Sequence, residues 1–149
     1  MLTRAGLLTY LAQTLHALAV AADVPETDSA AGYAYALDQA FAALGVPESD
    51  STTSLPATMT APGRAVARYY ALETLWTALA ARVDTSRREP GETVAVITER
   101  NAQRFAQVAE LLKQAKAQAA ALGVPVDVAP ALELDRILLD YLTPRTGGW

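Results

Sequence analysis

Apolar residues recur at steps of three and four along most of the chain, and glycine and proline separate the runs. Leu8, Leu11, Leu15 and Leu18 form one stripe, which predicts an amphipathic helix from about Arg4 to Ala21 with Thr3 as its N-cap. Tyr33, Leu37, Phe41 and Leu44 form a second, expected on a helix that starts near Ser29, whose hydroxyl can cap. A third run, Val66, Tyr69, Tyr70, Leu72, Leu75, Trp76, Leu79 and Val83, predicts a helix over roughly 64–83 with a wide aromatic face. A fourth holds Val94, Ile97, Phe105, Val108, Leu112, Ala115, Ala119 and Leu122, with Glu, Arg, Lys and Gln elsewhere. It predicts a helix from about Glu92 to Leu122.

The helix ends carry a repeated signal. Ala43-Leu44-Gly45-Val46-Pro47 recurs as Ala121-Leu122-Gly123-Val124-Pro125, and Ala22-Asp23-Val24-Pro25 is a weaker third copy. Glycine takes the left-handed conformation at a helix C-terminus, and a proline two residues on cannot continue the helix. The stops divide the chain unequally. Thirty residues of helix span about 45 Å, whereas a globule of this length has a diameter of roughly 38 Å. The fourth helix also outruns the expected third by about ten residues, or about 15 Å. It is therefore expected either to bend or to reach past its own body toward another chain.

The fold expected is all-α: an antiparallel bundle of about four helices, one of them long, with an extended C-terminal arm. Residues 1–123 form the bundle domain and 124–149 the arm. Three prolines and a Ser/Thr cluster predict no regular element over 46–63, a flexible loop. In it Leu55 and Met59 are either anchors for a neighbouring surface or incidental residues of a solvated linker. Residues 84–91 read as a polar turn. In the arm, periodicity does not separate helix from strand, and the reading leans to a strand around Ile137–Leu142. Ile137, Leu139 and Tyr141 are its candidate contacts. Trp149, on a Gly-Gly tether, is a candidate for docking in a partner's pocket, set against a crystal or assembly contact and plain terminal disorder.

Composition narrows the chemistry. Apolar residues make up 52% of the 149, but alanine supplies many of them, so the core is helical and thin-walled. The chain has no cysteine and one histidine, which excludes disulfides and thiolate metal sites and leaves a zinc site few ligands. Net charge is −4 and unevenly spread. Residues 1–61 hold one basic residue, Arg4, against six acidic ones, while 62–123 hold nine basic and six acidic. An acidic front and basic middle suit contact between copies or with an acidic partner, beside the plainer reading of ordinary solvated faces. Arg4 before an uncharged run and Ala19-Val20-Ala21 mimic a secretion signal. Thr9, Gln13, Thr14 and His16 interrupt that run, so it is read as a packed helix and not as a membrane span.

No catalytic, cofactor or metal constellation emerges. His16 has no acid or serine placed beside it by spacing, and is read as structural or surface. Asp135 and Asp140 frame Arg136 and are read as local ion pairs. Neither G-x-G-x-x-G nor G-x-x-x-x-G-K occurs. Arg87-Arg88 is the most concentrated positive spot, suited to a carboxylate-rich partner surface or to phosphate, or simply a solvated turn. Tyr69, Tyr70 and Trp76 are read as core.

The order of parts resembles a known family. A small helix pair containing Gly32-Tyr33-Ala34-Tyr35-Ala36-Leu37-Asp38-Gln39-Ala40-Phe41-Ala42-Ala43-Leu44-Gly45 precedes a connector. An aromatic helix with Arg68-Tyr69-Tyr70-Ala71-Leu72-Glu73 then leads to a long Gln/Lys/Ala/Glu helix ending at Leu122-Gly123, and to the arm. This layout resembles the head–tail connector (adaptor, or head-completion) proteins of tailed bacteriophages. The resemblance implies a non-enzymatic virion protein, assembled in the host bacterial cytoplasm, that forms a homo-oligomeric ring, commonly twelve-fold. The ring would dock beneath the portal protein, extend the DNA channel and meet tail or stopper proteins, with DNA passing without sequence-specific binding. It also implies the 124–149 arm as a clamp on neighbours and the 84–91 turn or 46–63 loop as a channel or tail contact. A small helical homodimer acting as a regulatory or cargo-binding module is the alternative, and an enzyme comes third.

Overall fold

The computed structural model describes residues 1–50, 52–88 and 92–124, and within them the side chains of 1–50, 52–81 and 102–124. Among these residues lie four α-helices and one short hairpin-like pairing: an all-α bundle. Strand β1 (Leu2–Thr3) leads directly into α1 (Arg4–Ala22), followed by α2 (Ala34–Ala43). Strand β2 (Ser54–Leu55) and a 3-10 turn (Ala57–Met59) precede α3 (Thr60–Arg88) and α4 (Glu92–Ala121).

Helix α3 is the hub. Helices α4, α2 and α1 all pack on it, whereas α1 and α2 touch one another little. Its sequence explains this, because Ala65, Val66 and Ala67 are all buried, and so are Tyr69, Ala71, Leu72, Leu75 and Leu79. Three consecutive buried residues point in three directions, so the helix needs cover on more than one side. Alanine fills many of these positions and lets the neighbouring helices approach closely. The rings of Trp76 and Phe105, 5.0 Å apart, bind α3 to α4. Tyr70 meets Tyr35 of α2 edge-on at 5.8 Å.

The three expected stops share one geometry. Asp23, Gly45 and Gly123 have φ of 56°, 92° and 84°. Val24, Val46 and Val124 donate their N–H to Ala19, Phe41 and Ala119, five residues back, at 3.0, 2.9 and 3.0 Å. Residues 23, 45 and 123 donate to Val20, Ala42 and Ala120, at 3.2, 3.1 and 3.0 Å. This pair of bonds is the Schellman closure. Each valine packs against the core and precedes a proline, so a single device ends α1, α2 and α4.

Thr3 caps α1 as expected, its Oγ1 accepting from the Gly6 amide at 3.0 Å. On α1 the buried row is Leu7, Leu11, Leu15, Ala19 and Ala22, with Leu8 and Leu18 half-buried at its edges. Helix α1 is long and apolar enough by length and composition to cross a membrane; in the folded chain its leucine row belongs to the common core.

Four expectations need correction. Ser29 does not start α2: its carbonyl accepts from the Gly32 amide at 2.9 Å, and Thr27 O accepts from Tyr33 at 2.8 Å. These bonds close a compact turn, and the helix begins only at Ala34. Residues 46–63 are not free of regular structure, since β2 pairs antiparallel with β1, Leu2 opposite Leu55. Helix α3 starts four residues before Arg64, because Pro62 falls in its first turn, where no amide hydrogen is needed. It also runs through Asp84-Thr85-Ser86 to Arg88, for these residues are poor helix formers but not breakers. At 29 and 30 residues, α3 and α4 are equal in length, so α4 does not outrun its neighbour. The overhang belongs to the pair: both span about 44–45 Å, against about 28 Å for α1 and 15 Å for α2.

Left-handed residues at the three closures set an expected stability pattern. Gly45→Ala and Gly123→Ala each cost about 1–2 kcal/mol, since a Cβ is strained at positive φ. Asp23→Gly gains a few tenths of a kcal/mol. Urea unfolding of the three variants checks both signs.

Candidate functional site

Arg4, the one basic residue of the acidic front, is its organising centre. It sits on the first turn of α1 and is 6% exposed. Its Nε and Nη2 donate to Asp28 Oδ2 and Oδ1 at 2.6 and 2.7 Å, a fork meeting a carboxylate. Its Nη1 donates to Asp38 Oδ1 at 2.6 Å and to Ser49 Oγ at 2.7 Å. One guanidinium thus joins α1, the 24–33 loop, α2 and the loop after it. Two carboxylates from different segments, Asp28 and Asp38, meet on one cation. Hydrogen bonding to Asp28, with charge attraction, raises the Arg4 pKa further despite burial. The same hydrogen bond holds the Asp28 carboxyl below its ordinary value.

A second polar group lies at the other end of α1. His16 Nδ1 and Glu26 Oε2 are 2.7 Å apart, so His16 has the acid neighbour that spacing did not reveal. The imidazole is 67% exposed, and the pair ties α1 to the loop that follows it. Tyr33 is fully buried; burial, and next the Glu26 charge, push its phenol up to about 12. Among the described residues its hydroxyl makes no hydrogen bond.

Between this loop and the middle of α3 runs an open groove of about 350 Å³. Val24, Ala31 and Ala78 form its apolar walls, and Tyr35 and Glu73 add a phenol and a carboxylate. Thr74 and Thr77 complete it, their hydroxyls donating to the carbonyls of Tyr70 and Glu73 at 3.1 and 2.9 Å. Tyr35 is 50% exposed. Partial burial, and next the Glu73 charge, raise its pKa. At 350 Å³ the groove lies at the small end of ligand sites, a size for side chains more than for a large cofactor. No cluster of three or more metal-ligating side chains occurs among the described residues.

The residues expected at partner contacts have different fates. Leu55 is 8% exposed, pairs with Leu2 and joins the core, and Met59 packs against that core. Both therefore anchor their loop on the core of their own chain. Arg87 and Arg88 fall on the last turn of α3 and not in a turn between helices; their side chains lie outside the described ones. Ile137, Leu139, Tyr141 and Trp149, with the strand expected at 137–142, lie outside the described residues. Tyr69 is buried and Tyr70 and Trp76 are half-buried against the core, as read. Sequence reasoning missed the Tyr35–Glu73 groove, since its two walls are some forty residues apart.

Three outcomes are expected. Arg4→Lys keeps the charge but loses the fork, and costs about 1–2 kcal/mol in urea unfolding. Because Asp28 is depressed in the folded state, its stabilisation is complete above the ordinary carboxylate value and is lost as pH falls below about 4. Melting temperature therefore drops less steeply in acid for Asp28→Asn than for the unaltered chain. Tyr33 has the opposite sign: its raised pKa means stability is complete below pH 10 and lost as pH rises toward about 12. Tyr33→Phe is expected to gain about 0.5–1 kcal/mol at pH 7 by removing an unpaired buried hydroxyl. That gain widens between pH 10 and 12 in the same unfolding assay.

No protein-family model matches the chain, and no significant match to it is found among curated proteins or solved structures.

Proposed function

We propose that this chain is a structural subunit of a ring-shaped head–tail connector of a tailed bacteriophage, part of the virion. In this reading its ring joins the portal protein to tail or stopper proteins and extends the DNA channel. One observation carries the reading: two paired helices of 29 and 30 residues outreach the other described elements of the chain. A hairpin about 45 Å long stands beside helices of 19 and 10 residues, which are too short to run along its full length. Lateral packing of such hairpins is a direct way to build a ring body, through a heterologous interface whose rotation closes. The order of helix pair, connector, aromatic helix, long polar-faced helix and arm supports the family assignment. The acidic balance of the chain suits a channel through which DNA slides, because phosphate is repelled and not bound. The subunit's work is assembly, and no catalytic step is assigned to it.

Mass measurement tests this directly. The full chain is expected to form a closed ring, or a weakly associating monomer that closes into one with portal protein present. Removal of residues 124–149 is expected to abolish that ring. Identical stable dimers from both chains would instead point to the regulatory or cargo-binding module.

A further inference from the structure

Helix α1 separates two groups of opposite charge. Arg4 and Tyr10 leave it about 120° apart around its axis, and each marks one flank. On the Arg4 flank, Asp38 gives the clamp only one oxygen, Oδ1. Its Oδ2 has no hydrogen-bond partner among the described residues, and the side chain is 55% exposed. Glu48, next in sequence to the clamp's Ser49, is exposed and makes no hydrogen bond or ion pair. Residues 5–63 hold no lysine or arginine that could serve either carboxylate. On the other flank the Arg64 guanidinium lies over the Tyr10 ring, 5.1 Å from its centre. Stacking engages the guanidinium face and leaves its in-plane N–H donors unused. Arg68 follows one turn later on α3, about 6 Å away between Cβ atoms. It is half-buried, with its Nε shielded from water and lacking an acceptor. Among the described residues neither arginine donates a hydrogen bond or reaches a carboxylate.

Withdrawing a guanidinium from water without an acceptor is unfavourable, so Arg64 and Arg68 are completed by acceptors from another molecule. The chain itself displays the matching set, a free carboxylate and a half-free one, on the opposite flank of α1. A helix about 10–12 Å across stands between the two sets, so their match is made between molecules. We infer that Arg64 and Arg68 of one copy dock against Asp38 and Glu48 of the next. The occupant is thus a second copy of this chain, chosen by charge complementarity. Such a contact runs head to tail, each copy offering one flank to either neighbour, which is the heterologous geometry that closes into rings. Like flanks repel, which excludes the two-fold alternative. The inference rests on the ring reading and assigns the faces that meet in it.

Charge reversal in the full-length chain tests the contact, with assembly mass as the readout and helicity and melting temperature confirming the fold. Arg64→Glu/Arg68→Glu is expected to weaken self-association about tenfold. Arg64→Glu alone, at an exposed site, weakens it less and keeps the test open if the double variant loses helicity. Asp38→Asn/Glu48→Lys keeps an Oδ1 acceptor for Arg4, and is also expected to weaken association about tenfold. Mixing the two double variants is expected to restore contact, because each still carries the flank that the other has lost. If the unaltered chain forms rings and every variant does too at full strength, the face assignment is overturned while the ring stands. If one flank's variants weaken assembly and the mixture stays weak, the two flanks do not meet and the inference is wrong. If reversal at 64 and 68 spares assembly but abolishes low-salt binding of a DNA duplex, phosphate is the acceptor and the proposed occupant is wrong. If the unaltered chain forms only dimers that both double variants weaken, the contact stands and the ring reading fails. An unaltered chain that stays monomeric even with portal protein present sinks both.

Discussion

Everything in this fold depends on α3 having more apolar surface than one neighbour can cover. Burying Ala65, Val66 and Ala67 in succession demands partners on several sides, and α1, α2 and α4 supply them. Because the two short N-terminal helices touch each other little, their mutual position is set through α3 and through polar ties at their ends. The Arg4 clamp is the strongest of these ties. A buried guanidinium with five donors must find acceptors, and Asp28, Asp38 and Ser49 provide them from three later segments. Its carboxylate partners are partly exposed, with side-chain exposures of 38% and 55%. The clamp therefore specifies an arrangement more than it adds raw stability.

Helix ends were the most legible part of the sequence, for a physical reason. Positive φ is tolerated by few residues, so Gly45 and Gly123 announce a conformation, and the proline two positions on confirms that no helix continues. Asp23 does the same more weakly because a short polar side chain also visits that region. Helix starts and polar helix ends were less legible. Pro62 reads as a breaker unless it is recognised as a first-turn residue, and Asp84-Thr85-Ser86 lowers helix propensity without forbidding helix. The pairing of β1 with β2 joins two residues to two others across fifty positions, far too little to leave a periodic signal.

The polar ties were invisible for a different reason. Arg4 reaches Asp28, Asp38 and Ser49 at separations of 24, 34 and 45 residues, and His16 meets Glu26 across a loop. No local pattern encodes such meetings; they appear only when packing fixes where each loop lies. Composition nonetheless carried a trace of the first. A single arginine among six carboxylates is a residue with many possible partners and no competitor, which favours its burial at their centre.

Charge distribution connects these features to assembly. In the acidic front, Arg4 neutralises one charge of the cluster around it, and no lysine or arginine follows until Arg64. The compensating cations lie on the two long helices: Arg64 stacks on Tyr10 of α1, and the later ones are carried farther along by about 1.5 Å per residue. A flexible chain could fold back to bring the two signs together. A 29-residue helix cannot, because its hydrogen-bonded backbone resists bending and the α4 pairing stiffens it further. Rigidity thus fixes the separation along the backbone between the acidic front and the later cations of α3.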